Sequence, residues 1–370
     1  MAFASLLLTM SVYMLVPVLP QWMMDEQNMS PQESGVAMGC FGVGLYVLGV
    51  LCSWLVQRYR RNVVCLWAVV AVAVCHAVLI YLDSQQTLFV EWGVVALLRT
   101  VQGAAFGLAQ MVLSSTLIID TCESFQRTEA NHSASWFSRF SLSLGPLLAL
   151  VLMTAYGFHA VMWGAVAAAV GTLLLIRAVS FPFRSPEERP HVLSADRFFL
   201  TAGLPLFLNL LIVGVVVGMV LSMPLGVTFY GLTMGGFLLA LLAQRFVFRN
   251  AELESEVVTG LLLLVAALLV LLVDSHSPAA PLLFGLAVGL TASRFLLFFV
   301  KVSRHCQRGT SQSTFFLAWE SGISFGLCAG YAIFWQQPAV LLYAALALTV
   351  LALAAYHFFT FRWFLCHKNR

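Results

Sequence analysis

Apolar runs of about 20 residues recur along the whole chain with only short polar turns between them, and that length is what an α-helix needs to cross a bilayer's hydrocarbon core. Twelve such segments stand out: 2–23, 33–56, 63–82, 92–117, 131–153, 159–178, 198–221, 224–246, 257–273, 279–300, 312–334 and 338–359. Charged residues make up 9% of the chain and apolar ones 61%. A soluble domain usually carries about 25% charge, so lipid must cover the excess apolar surface. Backbone groups in lipid have to be satisfied internally, which leaves helices for segments of this length. The chain therefore reads as an all-α membrane protein with twelve transmembrane helices.

One break is longer than the rest. Residues 179–197 contain FPFRSPEERPHVLSAD, rich in proline and charge, and separate six spans from six. The expected division is an amino-terminal bundle at 1–178, a cytoplasmic linker at 179–197 and a carboxy-terminal bundle at 198–370. Basic loops stay cytoplasmic. With the amino terminus inside, every Lys and Arg except Arg99, Arg139 and Arg294 falls in a cytoplasmic loop or end. The opposite loops hold only acids: Asp25, Glu26, Glu33, Asp83, Glu91 and Asp274. The first span lacks a basic leader and an A-x-A site, so it reads as a helix rather than a cleaved signal. Both termini are expected in the cytoplasm of a bacterial inner (plasma) membrane.

The two halves also resemble each other. GVGLYVLGVLCSWLVQRYRRN from Gly42 aligns with FYGLTMGGFLLALLAQRFVFRN from Phe229, pairing Gly44 with Gly231, Gly49 with Gly236 and Gln57-Arg58 with Gln244-Arg245. A second alignment pairs Gln126-Arg127 with Gln307-Arg308, Arg139 with Glu320 and Gly145 with Gly326. Repeats of this kind, with a site between them near the midplane, are how secondary transporters are built.

Three motifs carry a family resemblance. SWLVQRYRRNVV from Ser53 is similar to G-x-x-x-D-R-x-G-R-R, with Arg58 and Arg61 in place and Ser53, Gln57 and Arg60 as departures. Span four has R-x-x-Q-G as Arg99, Gln102 and Gly103. Span five has S-x-x-x-G-P as Ser141, Gly145 and Pro146, with Ala149 and Leu150 where a glycine pair would complete the motif. The chain thus resembles a twelve-span major facilitator superfamily transporter, and in particular its drug/proton antiporter-like members. The resemblance implies two pseudo-symmetric six-helix bundles around a central cavity. It also implies alternating access, a conformational hinge at Gly145-Pro146 and a cytoplasmic motif at Arg58 and Arg61.

Ionisable residues inside spans are costly and default to functional candidates. Glu320, in FLAWESGISFG, is the one acid well inside a span. An intramembrane carboxyl whose access to water alternates can carry a proton, so proton coupling is expected to rest on Glu320, its repeat mate Arg139 and Arg99. The alternative for each is a structural partner or packing anchor. Arg139 sits about 12 Å into its helix at 1.5 Å per residue. Arg294, nearer a helix end, is expected to reach the interface with its long stem. A substrate cavity built from Arg99, Gln102, Arg139, Asn209, Tyr13, Trp136, Trp319 and Glu320 would combine aromatic walls with a few polar groups. His76 reads as a satisfied core residue.

No nucleotide loop, HExxH or metal-ligand spacing is present among these residues, and the eight cysteines show no CxxC. No cofactor and no metal are expected, nor an enzyme. The expected partners are a small-molecule substrate, a proton as coupling ion and the lipid bilayer, with no nucleic acid, for a monomer. Two functions remain open. One is proton-coupled export of a small amphipathic compound. The other is a carrier for an anionic metabolite or lipid headgroup, using the intramembrane arginines. A receptor or a membrane-embedded enzyme would need a soluble domain or a catalytic cluster that the sequence does not offer.

Overall fold

The computed structural model of the chain describes residues 1–85, 90–118, 127–181, 191–248, 251–304 and 307–368, with backbone only at 127–131. The proline-rich part of the linker at 182–190, Cys122, Gln126, His305 and Cys306 lie outside these residues. Among the described residues, eleven helical stretches are long and apolar enough to cross a membrane. In chain order, with the more polar Arg308–Ala332 in its place, they are α1 (Ala2–Glu26), α2 (Pro31–Arg58), α3 (Arg61–Ser84), α4 (Trp92–Leu117), α5 (Arg127–Tyr156), α6 (Phe158–Arg177), α7 (Thr201–Leu221), α8 (Val227–Phe246), α9 (Leu253–Val273), α10 (Ala279–Val302), α11 (Arg308–Ala332) and α12 (Pro338–His367). At 25 residues α11 matches the others in length and falls below them in hydropathy. Its polar side chains explain the shortfall: Thr310 to Thr314, Glu320, Ser321 and Ser324 are almost all buried. A helix can be that polar and still sit in a bundle only if it faces protein or water, not lipid.

Helix packing repeats with a shift of six. In the first half α1 packs on α5 and α6, α2 on α4, and α3 on α4 and α6. In the second half α7 packs on α11 and α12, α8 on α10, and α9 on α10 and α12. Two seams join the halves, α2 against α11 and α5 against α8, and they too are related by the shift of six. Small residues set these distances. A Cβ on Gly326 of α11 would stand 2.1 Å from the Val215 carbonyl oxygen of α7, so only glycine admits the approach.

Regular α-helix is interrupted in α2, between Val47 and Cys52, and in α1, where it ends at Tyr13 and resumes at Leu15. Pro17 has no N–H to give the carbonyl of Tyr13 four residues back, which is the physical reason for a break there. Helix α5 runs from Arg127 to Tyr156 with Pro146 inside it. The visible role of Gly145 is closeness. A Cβ there would meet the Cβ of Tyr13 at 2.9 Å.

Candidate functional site

A cavity lies where α1, α4, α5, α10 and α11 converge. Its apolar wall comprises Ile118, Ala134, Leu296, Phe315, Phe316 and Trp319, and its polar wall Ser5, Gln110, Ser114, Ser135, Ser138, Arg139, Gln312 and Glu320. Centres of water-sized spheres can occupy about 70 Å³ of it. That is room for about five waters at roughly 15 Å³ each, and too little for a metabolite until the helices part.

Glu320 and Arg139 each stand twelve residues from the start of their helices, at about 18 Å of rise, so the two repeat mates lie at equal depth. Both line the cavity, and no ion pair joins them. Glu320 is 6% exposed, and the hydroxyl of Tyr13 lies 3.1 Å from both of its carboxyl oxygens. This contact ties α1 to α11. Beside it, Tyr46 of α2 and the Ser321 hydroxyl are 2.9 Å apart.

Arg139 is differently placed. It is 4% exposed and donates from Nη2 to the Ser135 hydroxyl one turn earlier, at 2.6 Å. Its guanidinium lies 4.9 Å from the Trp136 ring and 5.8 Å from the Phe315 ring. Nε and Nη1 have no acceptor, and neither does the Gln312 side-chain oxygen have a donor. Burying a guanidinium without a counter-charge costs several kcal/mol, and two cation–π contacts recover about 1–2 kcal/mol each at most.

Of the eight expected cavity residues Arg139, Trp319 and Glu320 line it, and Arg99, Gln102, Asn209, Tyr13 and Trp136 do not. Arg99 is buried in the first half, donating to the Gln102 side-chain oxygen at 2.6 Å and lying 4.6 Å over the Phe41 ring. Gln102 in turn reaches His76 at 3.2 Å, and His76 contacts the carbonyls of Val72 and Ser11. The Arg99 motif is thus a polar tie between α1, α2, α3 and α4, away from the cavity. Asn209 donates to the Ala352 carbonyl of α12 at 3.0 Å, sharing an oxygen that the Tyr356 N–H also reaches: an amide inside a dry bundle needs an acceptor. Trp136 lies behind Arg139 as its ring support, while Trp319 is in the cavity wall.

Sequence reasoning missed Gln110, Ser5, Ser138 and Gln312. Gln110 donates to the Thr9 hydroxyl at 2.6 Å and joins α4 to α1, and the Ser5 and Ser138 hydroxyls are 2.5 Å apart. The signal was there in the run Ser135, Ser138, Arg139, which places three polar side chains on one face of α5. A second correction concerns charge. Helix α9 starts at Leu253, four residues earlier than the hydropathy pattern indicated, which brings Glu256 inside at 1% exposure. Glu256 pairs with Arg294 and accepts from Gln244 at 2.5 Å, so Arg294 is held by a buried carboxylate rather than reaching for the interface. Arg58, in the loop motif, lies 5.9 Å from the Trp54 ring.

Residues 1–327 match the sequence profile of the Major Facilitator Superfamily. The chain belongs to that superfamily. It is an integral membrane transporter of small molecules, not an enzyme. Solved structures agree on the fold. The inward-open xylose transporter XylE from E. coli superposes with a TM-score of 0.74 at 14% identity, over 97% of this chain and 94% of that one. A bacterial homologue of the human lysosomal transporter Spinster, inward-facing and unoccupied, gives 0.70 at 14%, over 100% and 97%. The human organic anion transporter MFSD10 gives 0.68 at 17%, over 96% and 98%. A search of curated protein sequences finds no match. At these identities the likeness is one of fold, and cargo has to be read from the site.

Proposed function

We propose that the chain is a proton-coupled secondary transporter in which Glu320 carries the proton and the α1–α4–α5–α10–α11 cavity takes the cargo. The observation that supports this is the placement of Glu320: a carboxyl in the cavity wall whose oxygens both meet a hydroxyl from the other half of the chain. Protonation at that spot changes the bond between α1 and α11. A local proton event is thereby tied to a contact between the two halves.

On this reading 1–178 and 198–370 are two rocking bundles, 179–197 links them, and α11 completes twelve spans. The basic ends, with Arg58 and Arg61, lie in the cytoplasm of a bacterial inner membrane, and one chain suffices. Gly145 and Pro146 provide the pivot of α5 beside Tyr13. Arg139 faces the same cavity as the proton carrier, and the Arg99 network stiffens the first bundle behind it.

The coupling can run in two senses. Export follows if cargo and proton compete for Glu320, as in antiporter-like relatives. Co-transport follows if cargo binds elsewhere in the cavity and the proton does not displace it. Uptake and release of a solute panel by proteoliposomes under an imposed proton gradient tests the shared premise. Wild type is expected to move a solute against its gradient, and Glu320→Gln only to equilibrate it. Gradient-driven transport intact in Glu320→Gln would overturn the proposal.

A further inference from the structure

We propose that the cargo is an organic monoanion with a flat apolar body and one hydrogen-bond donor, seated with its anionic group on Arg139 and its donor on Gln312. This rests on the transporter reading above and adds to it the chemistry of the cargo and the sense of coupling.

Three arginines lie within the spans, and two do not line this cavity: Arg294, and Arg99, whose Nε also lacks an acceptor. Arg294 has Glu256 as its counter-ion. Arg99 is outside the cavity and held by Gln102 and Phe41. Among the described residues only Arg139 presents a guanidinium to the cavity, with no carboxylate of its own and two donors without acceptors. The one acid in that wall, Glu320, is engaged by Tyr13. An anion on Arg139 removes the largest uncompensated cost in the cavity, whereas a cation would add to it. One guanidinium matches one negative charge, which favours a carboxylate-sized monoanion over a phosphate dianion.

The second half of the recognition is an acceptor. Gln312 is 7% exposed, lines the same cavity, and its Oε1 has no donor. A hydroxyl or N–H on the cargo satisfies it. The same cavity is walled by Phe315, Phe316, Trp319 and Leu296, which suits a ring better than a sugar.

The sense of coupling follows from charge. Protonating Glu320 removes a negative charge from the cavity that holds the anion, so the anion binds the protonated form more tightly. Proton and cargo then travel together, which is co-transport. The other titratable or charged groups around Glu320 are few. Tyr13 comes from α1, Tyr46 beside Ser321 from α2, and Arg139 from α5, with His132 below it on the Trp136 ring. Helix α10 brings Arg294, held by Glu256, α4 presents Gln110, and α7 has no titratable residue along Leu204–Leu221.

Binding to the purified full-length protein, by calorimetry and by thermal shift, tests this with four probes of one ring size. They are para-hydroxybenzoate, benzoate without the donor, neutral para-hydroxybenzyl alcohol, and the cation tyramine. Para-hydroxybenzoate is expected to bind best and more tightly as pH falls, benzoate less well, and the alcohol and tyramine least. Arg139→Met is expected to weaken the two anions at least about tenfold, the loss of one charge-assisted hydrogen bond, without lowering the unliganded melting temperature. Arg139→Lys keeps the charge and is expected to fall between. Gln312→Leu is expected to reduce para-hydroxybenzoate to the level of benzoate and to leave benzoate unchanged.

No binding of para-hydroxybenzoate, tighter binding of tyramine, or unchanged anion affinity in Arg139→Met would overturn the proposal. Anion binding that needs Arg139 yet ignores pH, in wild type and Glu320→Gln alike, would overturn the coupling reading and leave the Arg139 seat standing. Tyramine binding that depends on Glu320 would overturn both the Arg139 seat and co-transport, and leave Glu320 standing as the proton carrier.

Discussion

At the scale of single residues, the buried charges sort by whether the fold has given them a partner. Glu256 and Arg294 have each other, with Gln244 reaching both Glu256 and Ser293. Removing one member leaves the other buried and unpaired, at a cost of about 3–5 kcal/mol. Arg294→Met is therefore expected to lower the melting temperature sharply, and the double variant Glu256→Gln/Arg294→Met to recover most of it. A double variant as unstable as the single would mean the pair is not what the charges need. Arg139, unpaired, is expected to behave in the opposite way when replaced. Arg139 and Glu320 were legible from sequence because a charge inside an apolar run is conspicuous. Glu256 was not, since it lies at a helix start where a polar turn looks the same. Nor was the removal of Arg99 and Asn209 from the cavity, because polarity fixes that a buried group needs a partner and says nothing of which helix supplies it.

At the scale of elements, close approach does what specific bonds cannot do in an apolar bundle. Gly326 sits where α11 crosses α7, and its Cβ would meet a backbone carbonyl that has no free volume to yield. Gly326→Ala is expected to cost about 2 kcal/mol by overpacking, measured as a lower melting temperature in detergent. Unchanged stability would show the helices free to separate at no cost. Gly145→Val is expected to push α1 away from α5 at Tyr13 and so to loosen the Tyr13–Glu320 contact. Transport under a proton gradient should then fall to the level of Tyr13→Phe, while Ala149→Val, one turn further along α5, falls less. The glycines were visible in the sequence as spaced pairs, and of the repeat mates Gly145 and Gly326 mark equivalent crossings, whereas Gly44 meets α4 and Gly231 only the Leu147 side chain of α5. The α1 break was not read from the sequence, although Pro17 and Pro20 lie in that span, and a proline by itself reports only that a helix is interrupted. It took the packing of Tyr13 under Gly145 and against Glu320 to give that interruption a consequence.

At the scale of the whole molecule, hydropathy and basic-residue placement were enough for an all-helical membrane protein, because lipid leaves so few alternatives. Motifs and repeats then located the family. The cavity was only partly legible: Arg139, Trp319 and Glu320 came through, while Phe315, Phe316 and the serines and glutamines did not, since apolar and short polar side chains occur at many helix positions. In the structure the halves meet along α2–α11 and α5–α8, the seams that alternate access has to open. They also meet at Gly309, whose Cβ would stand 2.9 Å from the Ser115 side chain where α11 faces α4. The seams should exchange as Glu320 gains and loses its proton. Distances between spin labels in lipid nanodiscs read this directly, one pair at exposed Tyr156 and Val227 and another at exposed Ser133 and Arg304. As pH is lowered in wild type, one pair is expected to lengthen while the other shortens, and in Glu320→Gln neither should respond. Two pairs that stay fixed in wild type, or that lengthen together, would contradict proton-driven alternating access around this cavity.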